Sequence, residues 1–372
     1  MPSEPRVLVL NERDAGHPKA GGAEVHVTEI FKRLAARGCD ITLTTTSFPG
    51  GAPCEMSDGI RIRRLGRIRY YYPRVVLNCA RETRRGRYDI VVECLNKLPY
   101  YAPAYSKVPV VAIAHHLFGE SAFLQVQWPV AATVWAAERA IPWLYRKVPF
   151  VSISESTRDD LVARGLPREH IEVHHCGIRR PRVEAPPYTS RAPRIVYTGR
   201  LERYKQIDVL LHAAARLSDR FPQVRLDIVG RGSDRERLEI LARDLGVAER
   251  THFVGFVSDD ERDRLLAAAR VNVCPSAKEG WGLTVIEANA LGTPVVATDA
   301  PGLRDSVEEG TNGYLVPDGD VDAFVDRIAR ILGDDALASR LSTNALGWSL
   351  RFDWDVAADR MAATIEAARR SA

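Results

Sequence analysis

The 372-residue sequence lacks the features that mark several classes of protein. Its six cysteines are scattered, with no CxxC pair and no close spacing of the metal-ligand type, which argues against a zinc site or a disulfide framework. We expect them to be reduced in a cytoplasmic protein. The first residues, MPSEPR, run straight into a strand-like segment without a basic leader or a cleavage site, so no export signal is recognised.

A long apolar run and a strong net charge are also missing. The longest apolar window, from Ala122 to Leu144, contains glutamines, prolines and charged residues and would make a poor membrane span, although it could touch a membrane. The net charge is only +4, which does not indicate a nucleic-acid-binding protein, so no nucleic-acid partner is expected.

The sequence does contain the alternation of strands and helices that is typical of an α/β protein. Apolar residues make up 45% and charged residues 27%, as in a folded globular protein, and the length suggests two domains. Short β-rich runs separated by segments of helical period predict parallel sheets. In the first half these runs are residues 7–11, 41–45, 90–95, 110–115, 150–153 and 171–174.

The pattern breaks and then restarts in the second half. From Arg179 to Pro193 the chain has four prolines, several charges and no apolar period, which predicts a linker. Strands are predicted at residues 195–198, 225–229, 251–254, 271–274 and 295–298, and the last is expected to complete a second sheet. We therefore predict domains at 1–180 and 194–352, a linker at 181–193 and a final helix at 353–372. Two doubly wound domains in tandem predict a ligand cleft at the carboxyl ends of their strands.

The most specific motif is EGWGLTVIEANALGTPVVATD, from Glu279 to Asp299. Gly280 and Gly282 permit a close backbone approach, and a helix is expected to start near Leu283, where free amides suit a diphosphate. Glu279 and Glu287 are about two helical turns apart and could contact opposite ends of one ligand.

Two further motifs carry cations and glycines. In YTGRLERYKQIDVLL, Arg200 follows a strand and Lys205 opens the next helix. Two fixed cations can neutralise the charge that develops on a leaving diphosphate without a metal ion. In GHPKAGGAEVHVTEI, Gly21 and Gly22 precede a helix, where the backbone could approach phosphates.

Over nearly its whole length the sequence resembles the retaining glycosyltransferases of family 4, which have the GT-B fold of two Rossmann-like domains facing across a cleft. The resemblance implies that Glu279 contacts hydroxyls of the donor sugar, that Glu287 holds the nucleotide ribose, and that the backbone of Gly282, Leu283 and Thr284 meets the diphosphate. It assigns Arg200 and Lys205 to the donor phosphates.

The same resemblance implies roles for the first domain. The loop with Gly21 and Gly22 would approach the donor phosphates and the acceptor. His115, at the end of a predicted strand, would lie close to the donor sugar, with His116 as the alternate. The last helix would cross back onto the first domain.

The expected reaction is transfer of a hexosyl group, with retention of configuration, from a UDP- or GDP-sugar to an acceptor hydroxyl. No metal and no cofactor beyond the donor is expected, and the acceptor is left open between a sugar, a lipid-linked precursor and a small molecule. Two alternatives also stay open: a nucleotide-sugar epimerase and a non-catalytic protein that binds sugar nucleotides.

Other signals carry less weight. GRGSD, at residues 230–234, lacks the third glycine of a dinucleotide fingerprint, so no nicotinamide site is expected. The pairs Asp318/Asp320 and Asp353/Asp355 precede helices, where aspartate is an ordinary cap.

The stretch from Arg61 to Arg87 holds ten arginines and one acid, with three tyrosines in the middle. It fits either an anionic membrane surface or a solvated helix and loop, and the first would place a cytoplasmic protein at the inner face of the membrane. Trp128, Trp135 and Trp143 fit either a hydrophobic acceptor groove or core.

Overall fold

The computed structural model of the chain describes residues 4–119 and 127–371. Residues 122–126 of the long apolar window lie outside the described residues. The chain divides into two compact units, one made of Met1–Gly177 with Asp353–Ala372 and the other of Ile178–Phe352. Each unit contains one sheet.

The sheet of the first unit has the order β3-β4-β2-β1-β5-β6-β7-β8 and is parallel except for the β3–β4 pair. Its strands are β1 Arg6–Leu10, β2 Asp40–Thr45, β3 Cys54–Ser57, β4 Ile60–Arg64, β5 Ile90–Leu95, β6 Val110–Ala114, β7 Phe150–Ser152 and β8 Ile171–Val173. The helices are α1 Gly22–Ala36, α2 Ile68–Arg84, α3 Trp128–Glu138, α4 Ile141–Leu144 and α5 Glu155–Ala163.

Strands β3 and β4 were not predicted from the sequence. Strand β3 is exposed along its whole length, so it has no apolar pattern to recognise. In β4 the side chains of Ile60, Ile62 and Arg64 are buried and alternate with outward-facing arginines. This alternation was hidden because Arg64 occupies an inward position that a sequence pattern assigns to an apolar residue.

The sheet of the second unit has six parallel strands in the order β11-β10-β9-β12-β13-β14. The strands are β9 Arg194–Thr198, β10 Arg225–Val229, β11 Thr251–Gly255, β12 Val271–Cys274, β13 Val295–Thr298 and β14 Gly313–Val316. The helices are α6 Ile207–Arg220, α7 Arg235–Asp244, α8 Asp259–Ala268, α9 Leu283–Asn289, α10 Leu303–Ser306, α11 Val321–Gly333 and α12 Asp335–Ser349.

The prediction that residues 295–298 complete the second sheet is wrong, because β14 adds a further strand beside β13. It begins at Gly313, a residue that does not signal a strand. A Cβ atom at Gly313 would lie 2.1 Å from the carbonyl oxygen of Val295, so only glycine allows β14 to approach its neighbour.

The segment predicted as a linker, 181–193, lies in the second unit and its later part is anchored there. The Tyr188 hydroxyl donates to the carbonyl of Arg270 at 2.6 Å. The buried Arg191 guanidinium donates to the carbonyl oxygens of Leu291 and Ala269 at 2.8 and 3.1 Å. These bonds offset the desolvation of a buried cation.

The last helix, α13 Trp354–Arg370, belongs to the first unit and packs on α1. Arg33 and Arg37 of α1 pair with Asp355 and Asp359 at 2.8 and 2.6 Å. A Cβ atom at Gly177 would lie 2.2 Å from the Trp354 amide nitrogen, so the start of the helix also requires glycine nearby.

Within residues 4–119 and 127–371, none of the helices is both long enough and apolar enough to cross a bilayer.

Candidate donor site in the second unit

The loops that follow β9 and β12 converge at the carboxyl end of the second sheet. These two strands are adjacent and parallel, so both loops leave the sheet at the same edge. The Ala277 amide donates to the carbonyl of Tyr204 at 3.1 Å and ties the two loops together. This contact joins the motif that contains Lys205 to the motif that contains Glu279.

Lys205 and Glu279 form an ion pair through Lys205 Nζ and Glu279 Oε1, although 74 positions separate them in the chain. Their side chains are only 12% and 18% exposed. Burial by itself lowers the pKa of Lys205, but the charge and hydrogen bond of Glu279 outweigh it, so the pKa of Lys205 is raised. The ammonium group is therefore held in its charged form at this edge. Lys205 itself lies in a 3₁₀ turn, Arg203–Lys205, rather than in the first turn of α6.

Arg200 is an exposed cation beside this pair. Its Nη2 donates to the Tyr204 hydroxyl at 2.6 Å, and the Lys205 ammonium lies 5.2 Å from the centre of the same ring. In the part of the chain that the structure describes, Arg200 has no carboxylate within ion-pair distance. Tyr204 thus links two cations, Lys205, which is held in place by Glu279, and Arg200, which is available to an external anion.

The backbone around Gly282 has the conformation that the motif predicted. Gly282 has φ +83° and precedes α9, and a Cβ atom there would lie 2.7 Å from Ser306 Oγ. The amides of Leu283 and Thr284 stand in the first turn of that helix, where amides have no acceptor within the helix. Gly302, which no sequence pattern singled out, supports this loop, because a Cβ atom there would lie 2.4 Å from the Glu279 carbonyl oxygen.

Glu287, in α9, has its own cationic partner, which the sequence did not reveal. Arg262 Nη1 of α8 lies 3.0 Å from Glu287 Oε1, and Arg262 also pairs with Asp263 at 2.9 Å. Burial raises the pKa of Glu287 and Arg262 partly opposes that rise. In the sequence, the only indication of this partner is that Arg262 and Asp263 follow Asp259 at spacings of three and four residues. Such spacings are common on any solvated helix.

Gly230 and Gly232, the glycines of the rejected dinucleotide motif, allow two loops to pack closely against each other. A Cβ atom at Gly230 would lie 1.8 Å from the carbonyl oxygen of Gly199, and one at Gly232 would lie 2.0 Å from that of Leu201. The Leu201 amide donates to the carbonyl of Arg231 at 3.0 Å. These contacts fix the backbone on both sides of Arg200.

The predicted glycine loop of the first unit starts α1, with Gly21 as its N-cap and Gly22 as its first residue. Glu24 Oε2 accepts a hydrogen bond from the Gly21 amide at 2.7 Å. This carboxylate therefore already satisfies one amide that was predicted to approach phosphates.

His115 is buried in the first unit and its Nε2 lies 3.1 Å from His26 Nδ1. Burial holds the pKa of His115 well below its ordinary value and lowers that of His26 to about 3, so both rings are neutral. The His26 ring lies 5.9 Å from that of Trp354. His116 is half-buried, with its ring 4.9 Å from that of Phe118. The role of His115 or His116 beside a donor sugar stays a prediction.

The stretch from Arg61 to Arg87 does not form one continuous surface. The Arg64 side chain is buried and pairs with Asp14 at 2.9 Å. Tyr71 is fully buried and its hydroxyl donates to the carbonyl of Asn11 at 2.6 Å. Residues 61–64 belong to the sheet, so the exposed part of this stretch is mainly α2 and its two ends.

Of the four aspartates set aside as helix caps, Asp320 and Asp353 act as caps. Asp320 Oδ1 accepts from the Ala323 amide at 3.0 Å and Asp353 Oδ1 from the Asp355 amide at 2.6 Å. Among the residues that the structure describes, no three His, Cys, Asp or Glu side chains are grouped as metal ligands.

Two family models match the chain, "Glycosyltransferase Family 4" over residues 20–182 and "Glycosyl transferases group 1" over residues 184–348. A D-inositol 3-phosphate glycosyltransferase of Streptomyces bingchenggensis is 30% identical over 92% of this chain and 84% of its own length. The chain belongs to glycosyltransferase family 4. The family predicted from the motifs is thereby confirmed.

Relatives and solved structures agree with this assignment. A D-inositol 3-phosphate glycosyltransferase of Mycobacterium avium is 27% identical, with 99% of this chain and 95% of the relative covered. Sucrose-phosphate synthase of Thermosynechococcus elongatus superposes with a TM-score of 0.84 at 24% identity, over 99% of this chain and 100% of that one. Anabaena HepE in complex with UDP-glucose gives 0.76 at 21% identity, over 98% and 100%. This glycosyltransferase therefore has the predicted α/β fold class, GT-B.

Proposed function

We propose that this glycosyltransferase transfers a hexosyl group from a UDP- or GDP-sugar to an acceptor hydroxyl with retention of configuration and without a metal ion. The second unit would bind the donor and the first the acceptor. The observation that carries the proposal is the convergence of Arg200, Lys205 and Glu279 at one edge of the second sheet.

The two cations fit the departure of a nucleoside diphosphate. Breaking the bond between the anomeric carbon and the phosphate oxygen leaves negative charge on the diphosphate. Arg200 can form two parallel hydrogen bonds to phosphate oxygens, while Lys205 supplies a fixed point charge. Because these charges are already in place, they can stabilise the leaving group in the role that a metal ion has elsewhere.

Glu279 and Glu287 fit the hydroxyl-rich parts of the donor. A carboxylate accepts hydrogen bonds from sugar hydroxyls, and each of these is already orientated by a cation, Lys205 or Arg262. Glu279 would hold the transferred sugar and Glu287 the ribose. The amides of Leu283 and Thr284 would contact the diphosphate between them.

The donor site can be tested before the acceptor is known. Isothermal titration with UDP, GDP and their glucose and mannose derivatives measures binding. Release of the nucleoside diphosphate by slow hydrolysis of the donor, in which water accepts the sugar, measures turnover. We expect Lys205→Gln to weaken diphosphate binding by about tenfold or more, because one charge-assisted contact is lost. We expect Glu279→Gln to keep diphosphate binding but to lose turnover.

Arg203→Gln is the matched control, because Arg203 lies in the same turn as Lys205 and its side chain is 80% exposed. It should bind and turn over the donor like the wild type. Wild-type binding and turnover in both Lys205→Gln and Glu279→Gln would contradict the proposed site.

Stereochemistry and metal dependence have separate readouts. Proton NMR of the first product should show the anomeric configuration of the donor. Turnover should be unchanged by EDTA, and an inverted product or a loss of turnover restored by Mg²⁺ would refute the corresponding part of the proposal. The acceptor class, whether a sugar, a lipid-linked precursor or a small molecule, would be identified by the same NMR assay with candidate acceptors.

A further inference from the structure

One exposed face of α2 combines cations with apolar side chains. Tyr70, Arg74, Leu77, Arg81 and Arg84 follow each other at spacings of three and four residues, which places them along one side of the helix. Leu77 is 71% exposed. The Arg69 and Arg74 guanidinium groups lie 4.9 and 5.7 Å from the centre of the Tyr70 ring.

The exposed charged side chains of α2, α3 and the residues that flank them are all positive. The acidic residues of segments 67–88 and 127–147 are Glu82 and Glu138, and both are buried. In the part of the chain that the structure describes, Arg69, Arg74 and Arg84 have no carboxylate within ion-pair distance. Arg81 of this face pairs with the buried Glu82 at 3.1 Å, and the unpaired arginines beside it attract anions.

An open apolar groove of about 520 Å³ runs beside this helix. Its walls are almost entirely carbon and include Tyr72, Val76 and Leu77 of α2, Leu98 and Tyr101 of the following loop, and Ala137 of α3. The groove joins α2 to α3 within the first unit.

Large apolar side chains project from α3 and α4. Trp128 is 72% and Trp143 is 88% exposed, and Val130 and Leu144 are also exposed. The Arg139 guanidinium lies 4.0 Å from the Trp135 ring centre, and Arg146 and Lys147 follow α4. Exposed tryptophans with neighbouring cations are typical of surfaces that meet the boundary between lipid headgroups and hydrocarbon.

We propose that α2, α3 and α4, with the groove between α2 and α3, form a surface that docks on a bilayer containing anionic phospholipids. The arginines of α2 would contact lipid phosphates, and Leu77, Trp128 and Trp143 would enter the headgroup region. The groove would accept part of an acyl chain. An acidic protein or a nucleic acid would satisfy the cations but would leave the groove and the tryptophans exposed to water.

This surface uses residues of the first unit alone, so its test is independent of the proposed donor site. The full chain is sedimented with phosphatidylcholine vesicles and with vesicles that contain phosphatidylglycerol in addition. In the charge variant, Arg69, Arg74 and Arg84 are all changed to Gln. In the apolar variant, Leu77→Gln and Trp143→Ser remove two exposed apolar side chains. Circular dichroism and UDP or GDP binding report on folding.

In the control for the charge variant, Arg225, Arg243 and Arg340 are all changed to Gln. These are three exposed arginines of the second unit without a carboxylate partner among the described residues. Wild type and control should bind the anionic vesicles. The charge variant should bind on the order of a hundredfold more weakly, from about a fivefold loss for each of the three cations near the surface. The apolar variant should also bind more weakly, and it should keep its dependence on anionic lipid.

Equal binding to both kinds of vesicle, or wild-type binding by both variants, would overturn the proposal. An absence of binding to the anionic vesicles would also overturn it. In that case we would test whether immobilised RNA retains the wild type but not the charge variant. That result would assign the surface to a nucleic acid.

Discussion

At the scale of single residues, the two glutamates of the main motif differ in their surroundings. Glu279 pairs with Lys205 and Glu287 with Arg262, so each carboxylate is fixed by a different element. For Glu287, burial is the largest influence and raises its pKa above 4.5. It should therefore become protonated at a higher pH than an exposed glutamate does.

This shift gives a prediction for nucleotide binding. If the Glu287 carboxylate accepts hydrogen bonds from the ribose, affinity for UDP or GDP should fall by about three- to tenfold as the pH is lowered from 8 through the raised pKa. Isothermal titration across this range measures it. Glu287→Gln should bind more weakly at pH 8 with a flatter profile, and parallel profiles for the two proteins would refute the role.

The same group affects the stability of the ligand-free protein in the opposite sense. Because its folded-state pKa is raised, Glu287 contributes most to stability below its unfolded-state pKa, and that contribution is lost as the pH rises through the folded-state pKa. Weak ligand binding at low pH would thus not result from unfolding through this group.

At the scale of elements, the candidate site depends on how closely its loops pack. The loop after β9, which carries Arg200, lies against the loop after β10 because Gly230 and Gly232 have no side chains. The loop after β12, which carries Glu279, lies similarly against Gly302. These glycines act through backbone packing and need no contact with the ligand.

Gly230→Ala tests this packing. The new Cβ would lie 1.8 Å from the Gly199 carbonyl oxygen, so the loops must separate and Arg200 must move. We expect a loss of more than about 2 kcal/mol in the free energy of unfolding and weaker nucleotide binding. Urea unfolding and isothermal titration measure the two effects.

Gly310→Ala is the control, since Gly310 also has a positive φ, +74°, but a Cβ there meets nothing within 4 Å. Its cost should be about 1 kcal/mol, from backbone strain alone, with nucleotide affinity unchanged. Equal effects of the two substitutions would show that strain rather than loop contact explains Gly230.

At the scale of the whole molecule, the two compact units are not two consecutive parts of the chain, because the first unit is made of two separate segments. The last twenty residues of the sequence complete the first unit, where Trp354, Ala358 and Met361 of α13 are buried. Their burial against α1 means that the first unit depends on the end of the chain for part of its core.

Met361→Asp should therefore destabilise the first unit by about 3 kcal/mol or more, because it buries an unpaired carboxylate. Val356→Asp, at a 55% exposed position of the same helix, is the control and should change stability by less than about 0.5 kcal/mol. Hydrogen exchange can assign the loss to strands β1, β2 and β5. Equal protection of these strands in the two variants would show that α13 is dispensable for the first unit.

Much of the fold could be predicted because most of its strands are buried on both faces. Runs such as those of β5 and β12 are almost continuously apolar and are recognisable one at a time. Strand β3 is exposed, β4 has an arginine on its inner side, and β14 begins with glycine, so each lacks that signal. The residues of the candidate site were found through their motifs, whereas Arg262 and Gly302 belong to no motif, and the motif that contains His26 gives no sign of its contact with His115.

Local pattern and spacing were enough to establish the α/β class, the family and most of the charged residues at the candidate site. Which of these charges meet follows only from the folded arrangement. Lys205 pairs with Glu279 across 74 positions, Arg64 is neutralised by Asp14 inside the first unit, and His115 bonds to His26. Such pairings depend on which strands are neighbours in a sheet and how closely their loops pack, and neither property is encoded in a local stretch of chain.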